Sequence, residues 1–170
     1  AVASALEPLR AANRMSGQNL FSWVISSPTG AAPEASNGVR VDVQGTREML
    51  QDCRLVFVCA GLEVKAHADK ETLNLIRRLD RKGAIIGAIC TGTYLMAAAG
   101  LLDDRRCTIH WENIDGLAEE FPLLEITNEL FEIDDKRVTC SGGTASLDMI
   151  LYLIGPVSYT HLRAHETPLH

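Results

Sequence analysis

Cys90 closes the apolar run Ala84-Ile85-Ile86-Gly87-Ala88-Ile89 and is followed at once by Thr91-Gly92 and a helical stretch over 93–99. That order reads as strand, sharp turn, helix, with a thiol on the turn. A side chain on such an elbow stands at the carboxyl edge of a sheet and faces the backbone N–H groups that open the next helix. Those groups and the helix dipole favour a thiolate over a thiol. The expected chemistry is therefore stabilisation of negative charge on sulfur or on a bound ligand. The plain alternative is a small apolar cysteine buried between strand and helix.

His110 follows Cys90 by twenty positions, at or near the end of what should be the next strand. Adjacent parallel strands would bring it near the elbow, where it could deprotonate the thiol or hydrogen-bond a ligand. A half-buried histidine capping a strand is the competing reading, and Trp111 beside it fits a core position. A cysteine hydrolase also needs an acid to orient its histidine. Glu112, Asp115 and Asp148 are the candidates, and Glu7 on the opening helix could present a further carboxylate toward the elbow.

These groups depend on an alternation of strands and helices. The pattern predicts a helix over 2–14 closed by Gly17, with a kink or break at Pro8. Strands are expected over 20–26, 39–43, 55–59, 84–89, 107–111, 125–133 and 137–140. Helices are expected over 69–80, 93–99, 112–121 and 145–154, the last stopping at Gly155-Pro156. Buried apolar strands between helices argue a doubly wound α/β fold, flavodoxin-like in general order, with a mostly parallel sheet and helices on both faces. Ligands in such folds bind beyond the carboxyl ends of strands. Three strand ends carry glycine there: Cys59-Ala60-Gly61, Cys90-Thr91-Gly92 and Cys140-Ser141-Gly142-Gly143. Ordinary turn chemistry is the competing reading for all three, and the preferred one for Gly142-Gly143.

The chain of 170 residues fits one domain. A net charge of −6, without a compensating Lys/Arg cluster, argues against nucleic-acid binding by this segment alone. Five cysteines, with no Cys-x-x-Cys pair and no metal-like spacing, fit free thiols in a reducing compartment, by default the cytoplasm. No apolar run approaches the roughly 18 residues of a membrane span, so no membrane association is expected. Residues 156–170 carry His161, His165 and His170 without apolar periodicity. They resemble translated adapter sequence and are set apart from the domain, 1–155.

Five strings occur in order: Glu7-Pro8-Leu9-Arg10-Ala11-Ala12-Asn13, the Cys90-Thr91-Gly92 elbow, Ala99-Gly100-Leu101-Leu102-Asp103, Thr108-Ile109-His110-Trp111, and Thr139 to Asp148. Together they resemble the amino-terminal, PfpI-like (class I glutamine amidotransferase-like) domain of AraC-type transcriptional regulators. The resemblance implies a small-molecule sensor, commonly a homodimer, that meets DNA only through a carboxyl-terminal domain absent from this chain. The family's first strand would precede Ala1. No cofactor or metal is implied. The ligand expected is a small metabolite such as an amine or amino acid, bound by Gly61, Leu62, Cys90, Thr91, Gly92 and His110. The same superfamily holds cysteine-dependent enzymes, including isonitrile hydratases and amidase-like hydrolases. In that alternative Cys90 and His110 are catalytic, although peptidase-like members place a histidine where this chain has Thr91.

Overall fold

Two continuous apolar stretches make the centre of the sheet. Leu55–Ala60 (β1) and Ile85–Cys90 (β2) run parallel, paired from Leu55 with Ile85 to Ala60 with Cys90. Apolar side chains on both faces suit strands covered by helices on both sides. In the computed structural model, which describes residues 1–165 with side chains through Pro156, two short strands complete this sheet. Arg106–Cys107 (β3) pairs with Glu125–Ile126 (β4) in a separate parallel ribbon, while Phe131–Asp134 (β5) and Arg137–Cys140 (β6) form a hairpin. The main sheet has the order β1-β2-β6-β5, parallel except for β5. β1 is one of its edges.

Each face of the sheet has its own apolar layer. On one side lie Lys70–Arg81 (α2) and Gly92–Ala98 (α3), packing Leu75, Ile76, Leu79, Leu95 and Met96 against Ile86 and Ala88. Asp69 starts α2 by accepting the Thr72 amide at 3.2 Å and the Thr72 hydroxyl at 2.6 Å. On the other side, Val2–Ser16 (α1) and Ala145–His165 (α5) cover Ile89, Val138 and Cys140 with Ala5, Met149 and Ile150. The Ser146 hydroxyl ties the start of α5 to the start of α1 by donating to the Ala1 carbonyl at 2.9 Å. Arg137 locks β6 to the first layer, reaching Asp80 at 2.6 Å and the Leu101 carbonyl at 2.8 Å. The shorter Ile114–Glu120 helix (α4) packs through Leu117.

The structure corrects several expected elements. The segment 20–26 is no strand: it makes a single bridge, Ser26 to Gly45. Its backbone is satisfied otherwise, with the Asn13 side chain both accepting from the Phe21 amide at 2.9 Å and donating to the Phe21 carbonyl at 2.8 Å. The segment 39–43 likewise reduces to a bridge between Glu34 and Arg40, because the Pro33 carbonyl and the Ala35 amide fold the loop back on itself. The strand expected over 107–111 ends at Cys107, since the Thr108 amide bonds the Thr139 hydroxyl rather than a neighbouring strand. Trp111–Asn113 is a 3-10 turn, so the next helix starts at Ile114 rather than 112. The strand expected over 125–133 is two strands, broken where the Thr127 and Glu129 carbonyls accept from the Thr108 hydroxyl. α1 runs unbroken through Pro8. α5 does not stop at Gly155-Pro156 but continues to His165, around a proline that removes one helical donor. The side chains of His161, His165 and His170, and the expectation that the tail makes few core contacts, lie outside what is described.

Candidate functional site

The carboxyl ends of β1, β2 and β6 meet at one rim of the main sheet. Cys90, the last residue of β2, has φ of +60°, a left-handed backbone that a non-glycine residue adopts at a cost of roughly 1–3 kcal/mol. The consequence is a change of face. Ile86 and Ala88 point into the α2/α3 layer and Ile89 into the α1/α5 layer, so simple alternation would send Cys90 back toward α2/α3. The turn re-aims it, and Cys90 packs with Ile89 and Cys140 in the α1/α5 layer.

Three contacts hold the elbow. The Thr91 hydroxyl donates to the Gly61 carbonyl at 2.6 Å, fastening the turn after β2 to the turn after β1. Gly92 opens α3 directly against β1: a methyl group there would overlap the Val58 carbonyl oxygen and stand 2.9 Å from its carbon. Gly142, at φ of +99°, presses against the cysteine itself, since a methyl group on it would meet Cys90 Cβ at 2.9 Å and Sγ at 3.2 Å. Gly142 is a site residue that turn chemistry alone did not reveal. Its signal was position, at the end of a third parallel strand. Gly61 and Gly143 have no such neighbours, so no close approach explains them.

The segment that leads to His110 is tied to the elbow's helix and to β6 through buried threonines. Thr93, in the first turn of α3, donates to the Thr108 carbonyl at 2.8 Å, and the Thr108 amide donates to Thr139 Oγ1 at 2.9 Å. The segment ending in His110 is thus pinned between the elbow's helix and β6. The ring is half-buried, and its Nδ1 accepts the Glu112 amide at 3.4 Å. With Nδ1 accepting, the neutral ring carries its proton on Nε2 and presents a donor on that side. A base for the thiol would need the opposite tautomer, with Nδ1–H donating to an acid. None of the expected acids is placed for that task. Glu112, Asp115 and Asp148 are exposed, and the Glu7 carboxylate is taken by Arg10 on the surface of α1. Leu62 and Trp111 flank the rim at 77% and 72% exposure, so Trp111 is no core residue.

The electrostatics reverse the expectation of a thiolate. Burial pushes the Cys90 thiol up from its ordinary value, against a smaller lowering by the Thr91 N–H. Cys140 is raised by burial as well, although the Gly142 and Cys90 amides both donate to its sulfur. A short helix start and two or three amides offset less than desolvation costs. The elbow thus holds a neutral thiol beside the buried backbone of Thr91 and Gly92. Among the described residues no group of three His, Cys, Asp or Glu side chains could hold a metal ion, and no helix is long and apolar enough to cross a membrane.

Comparison with known proteins agrees with this fold. The chain is 47% identical over 151 residues to the HTH-type transcriptional regulator CdhR of Pseudomonas aeruginosa, covering 89% of this chain and 45% of that regulator. It therefore spans about half the length of that curated relative. An isonitrile hydratase of Pseudomonas putida is 32% identical over 85 residues, half of this chain and 36% of the enzyme. Among solved structures, an AraC family transcriptional regulator from Pseudomonas putida superposes with a TM-score of 0.82 at 23% identity, over 96% of this chain and 90% of that one. The model of the DJ-1/PfpI family matches residues 6–155, the span that carries the sheet, both helical layers and the elbow, and the chain belongs to that family.

Proposed function

We propose that residues 1–155 are the sensing domain of a cytoplasmic transcriptional regulator and bind a small amine or amino acid over the Cys90 elbow. The observation that carries this reading is the combination of a neutral Cys90 thiol with a His110 that presents a donor rather than a base. Such a rim is equipped to bind and poorly equipped to attack. The Thr91 and Gly92 amides, the Gly61-Leu62 turn and His110 Nε2–H would meet the anionic or polar end of the ligand, with Trp111 on the rim. The identity with a helix-turn-helix regulator over nearly the whole chain supports the regulatory setting. DNA contact then belongs to a carboxyl-terminal domain outside this chain, and dimerisation would match paired half-sites.

Thermal-shift titration against amino acids and quaternary amines tests the reading. A ligand at a hundredfold excess over its Kd stabilises by about 2.7 kcal/mol, which at this chain length is a rise of roughly 5–11 °C. Absence of stabilisation by any member of both classes would count decisively against it. A second reading, cysteine-dependent hydration of an isonitrile or amide, draws on the partial identity with isonitrile hydratase and the strained elbow. Cys90→Ser separates the two: ligand binding that survives supports the sensor, whereas wild-type turnover that vanishes in the variant supports the enzyme.

A further inference from the structure

The α1/α5 face of the rim holds more sulfur than a binding site needs. Cys90 and Cys140 end two adjacent parallel strands, Cys59 lies one residue before the end of the third, and none is in a disulfide. Ile89 is the register partner of Cys140, which puts Cys90 one residue further along the neighbouring strand. With strands about 4.8 Å apart and a rise of about 3.3 Å per residue, the Cα atoms of Cys90 and Cys140 stand about 5.8 Å apart. That separation falls at the commonest value for bridged cysteines. The left-handed backbone at Cys90 brings its side chain onto the face where Cys140 already points. Gly142, two residues beyond Cys140, lies against Cys90 Cβ and Sγ.

We propose that Cys90 and Cys140 form a redox couple, in which a hydroperoxide oxidises Cys90 and Cys140 then resolves it as an intramolecular disulfide. Burial sets the order. Cys140 is fully buried, so an external oxidant meets only the half-buried Cys90. In the first step the Cys90 sulfur attacks the outer peroxide oxygen, the O–O bond breaks, and the thiol proton passes to the departing oxygen, which leaves as alcohol or water and leaves a sulfenic acid behind. In the second, the Cys140 sulfur attacks the Cys90 sulfur. The S–O bond breaks, and hydroxide leaves as water with the Cys140 proton. Two thiols give up two electrons and two protons, and the hydroperoxide becomes an alcohol (or water) plus water.

Cys59 is the competitor to be excluded. Its neighbour Ala60 pairs with Cys90, so strand geometry gives it a similar Cα separation. It is the exposed member of the three, on the free edge of β1. What singles out Cys140 is its place in the same apolar layer as the Cys90 side chain, together with the Gly142 contact.

The test treats the reduced 170-residue chain with hydrogen peroxide and reads intact mass, thiol count in denaturant and a non-reducing peptide map. The expected product lacks two hydrogens, has three free thiols in place of five, contains a peptide linking Cys90 to Cys140, and reverts with dithiothreitol. A Cys59–Cys90 link overturns the assignment. So does a Cys90 that gains oxygen atoms and stays unlinked. The wild-type map decides alone, and Cys59→Ser adds an independent check: it should leave the Cys90–Cys140 link in full yield, and its loss there would refute the proposal.

Discussion

Gly92→Ala is the sharpest probe of how the elbow is held. Gly92 has an ordinary helical backbone, so its need for glycine comes from contact rather than from φ. An added methyl group would overlap the Val58 carbonyl oxygen and stand 2.9 Å from Val58 C. Those are backbone atoms of β1, which is anchored to β2 along six register pairs and cannot yield as a flexible side chain would. Overpacking of this kind costs about 1–3 kcal/mol or more. Alanine's better helix propensity returns up to about 1 kcal/mol. A net loss of about 1–2 kcal/mol then lowers Tm by roughly 2–8 °C at this chain length. Gly116→Ala is the control: Gly116 lies inside α4 with nothing within 4 Å of a new methyl group. It should raise Tm by roughly 1–4 °C through propensity alone. The assay is a thermal melt of both variants beside the parent, followed by circular dichroism. A Gly92→Ala protein that melts at or above the parent, with Gly116→Ala behaving as expected, would refute the claim that α3 is seated on β1 backbone.

Thr91→Val keeps the shape of a buried side chain and removes its 2.6 Å bond to the Gly61 carbonyl. It should cost about 1–2 kcal/mol and weaken ligand-induced stabilisation; an unchanged melt would show that the two turns are held together by something else. Burial, with a contribution from Glu132, pushes the Cys107 thiol from 9.0 up to about 12. The folded state therefore keeps a proton that the unfolded chain releases, and stability falls as pH rises from about 9 toward 12 while the range below 9 is unaffected. At one pH unit above the unfolded value the loss is about 1 kcal/mol. Cys107→Ala should flatten that alkaline limb in denaturant titrations, and a limb of unchanged slope would sink the assignment.

The parallel centre of the sheet was legible because its strands are continuous apolar runs bounded by turns, and α2 because Leu73, Ile76 and Leu79 recur on one stripe. The peripheral strands were not, since β-rich composition in 20–26 and alternation in 39–43 promise a strand only where a neighbour supplies the ladder. There Asn13 and the Pro33 loop satisfy the backbone instead. At the site, the elbow and its Thr91-Gly92 turn could be read from residue order. The sign of the thiol shift could not, because it depends on a balance between burial and amide donors that only coordinates reveal. Gly142 and the Thr93-Thr108-Thr139 linkage escaped for a related reason: each acts across strands far apart in sequence.

The two helical layers differ in when they can exist. The α2/α3 layer draws on residues between Val56 and Leu117, a continuous stretch of chain. The layer that encloses Cys90 and Cys140 is sealed by α1 and α5, and its Ser146–Ala1 hydrogen bond joins residues 145 positions apart. Contacts of such long sequence separation form late, after the entropy of closing the loop has been met. On a ribosome, the elbow's turn can be made while the face its thiol occupies is still bare, and that face closes only after α5 has emerged. The rim is in this sense a checkpoint on the completeness of the chain, since a product cut short before Ile154 lacks the wall behind its own cysteine.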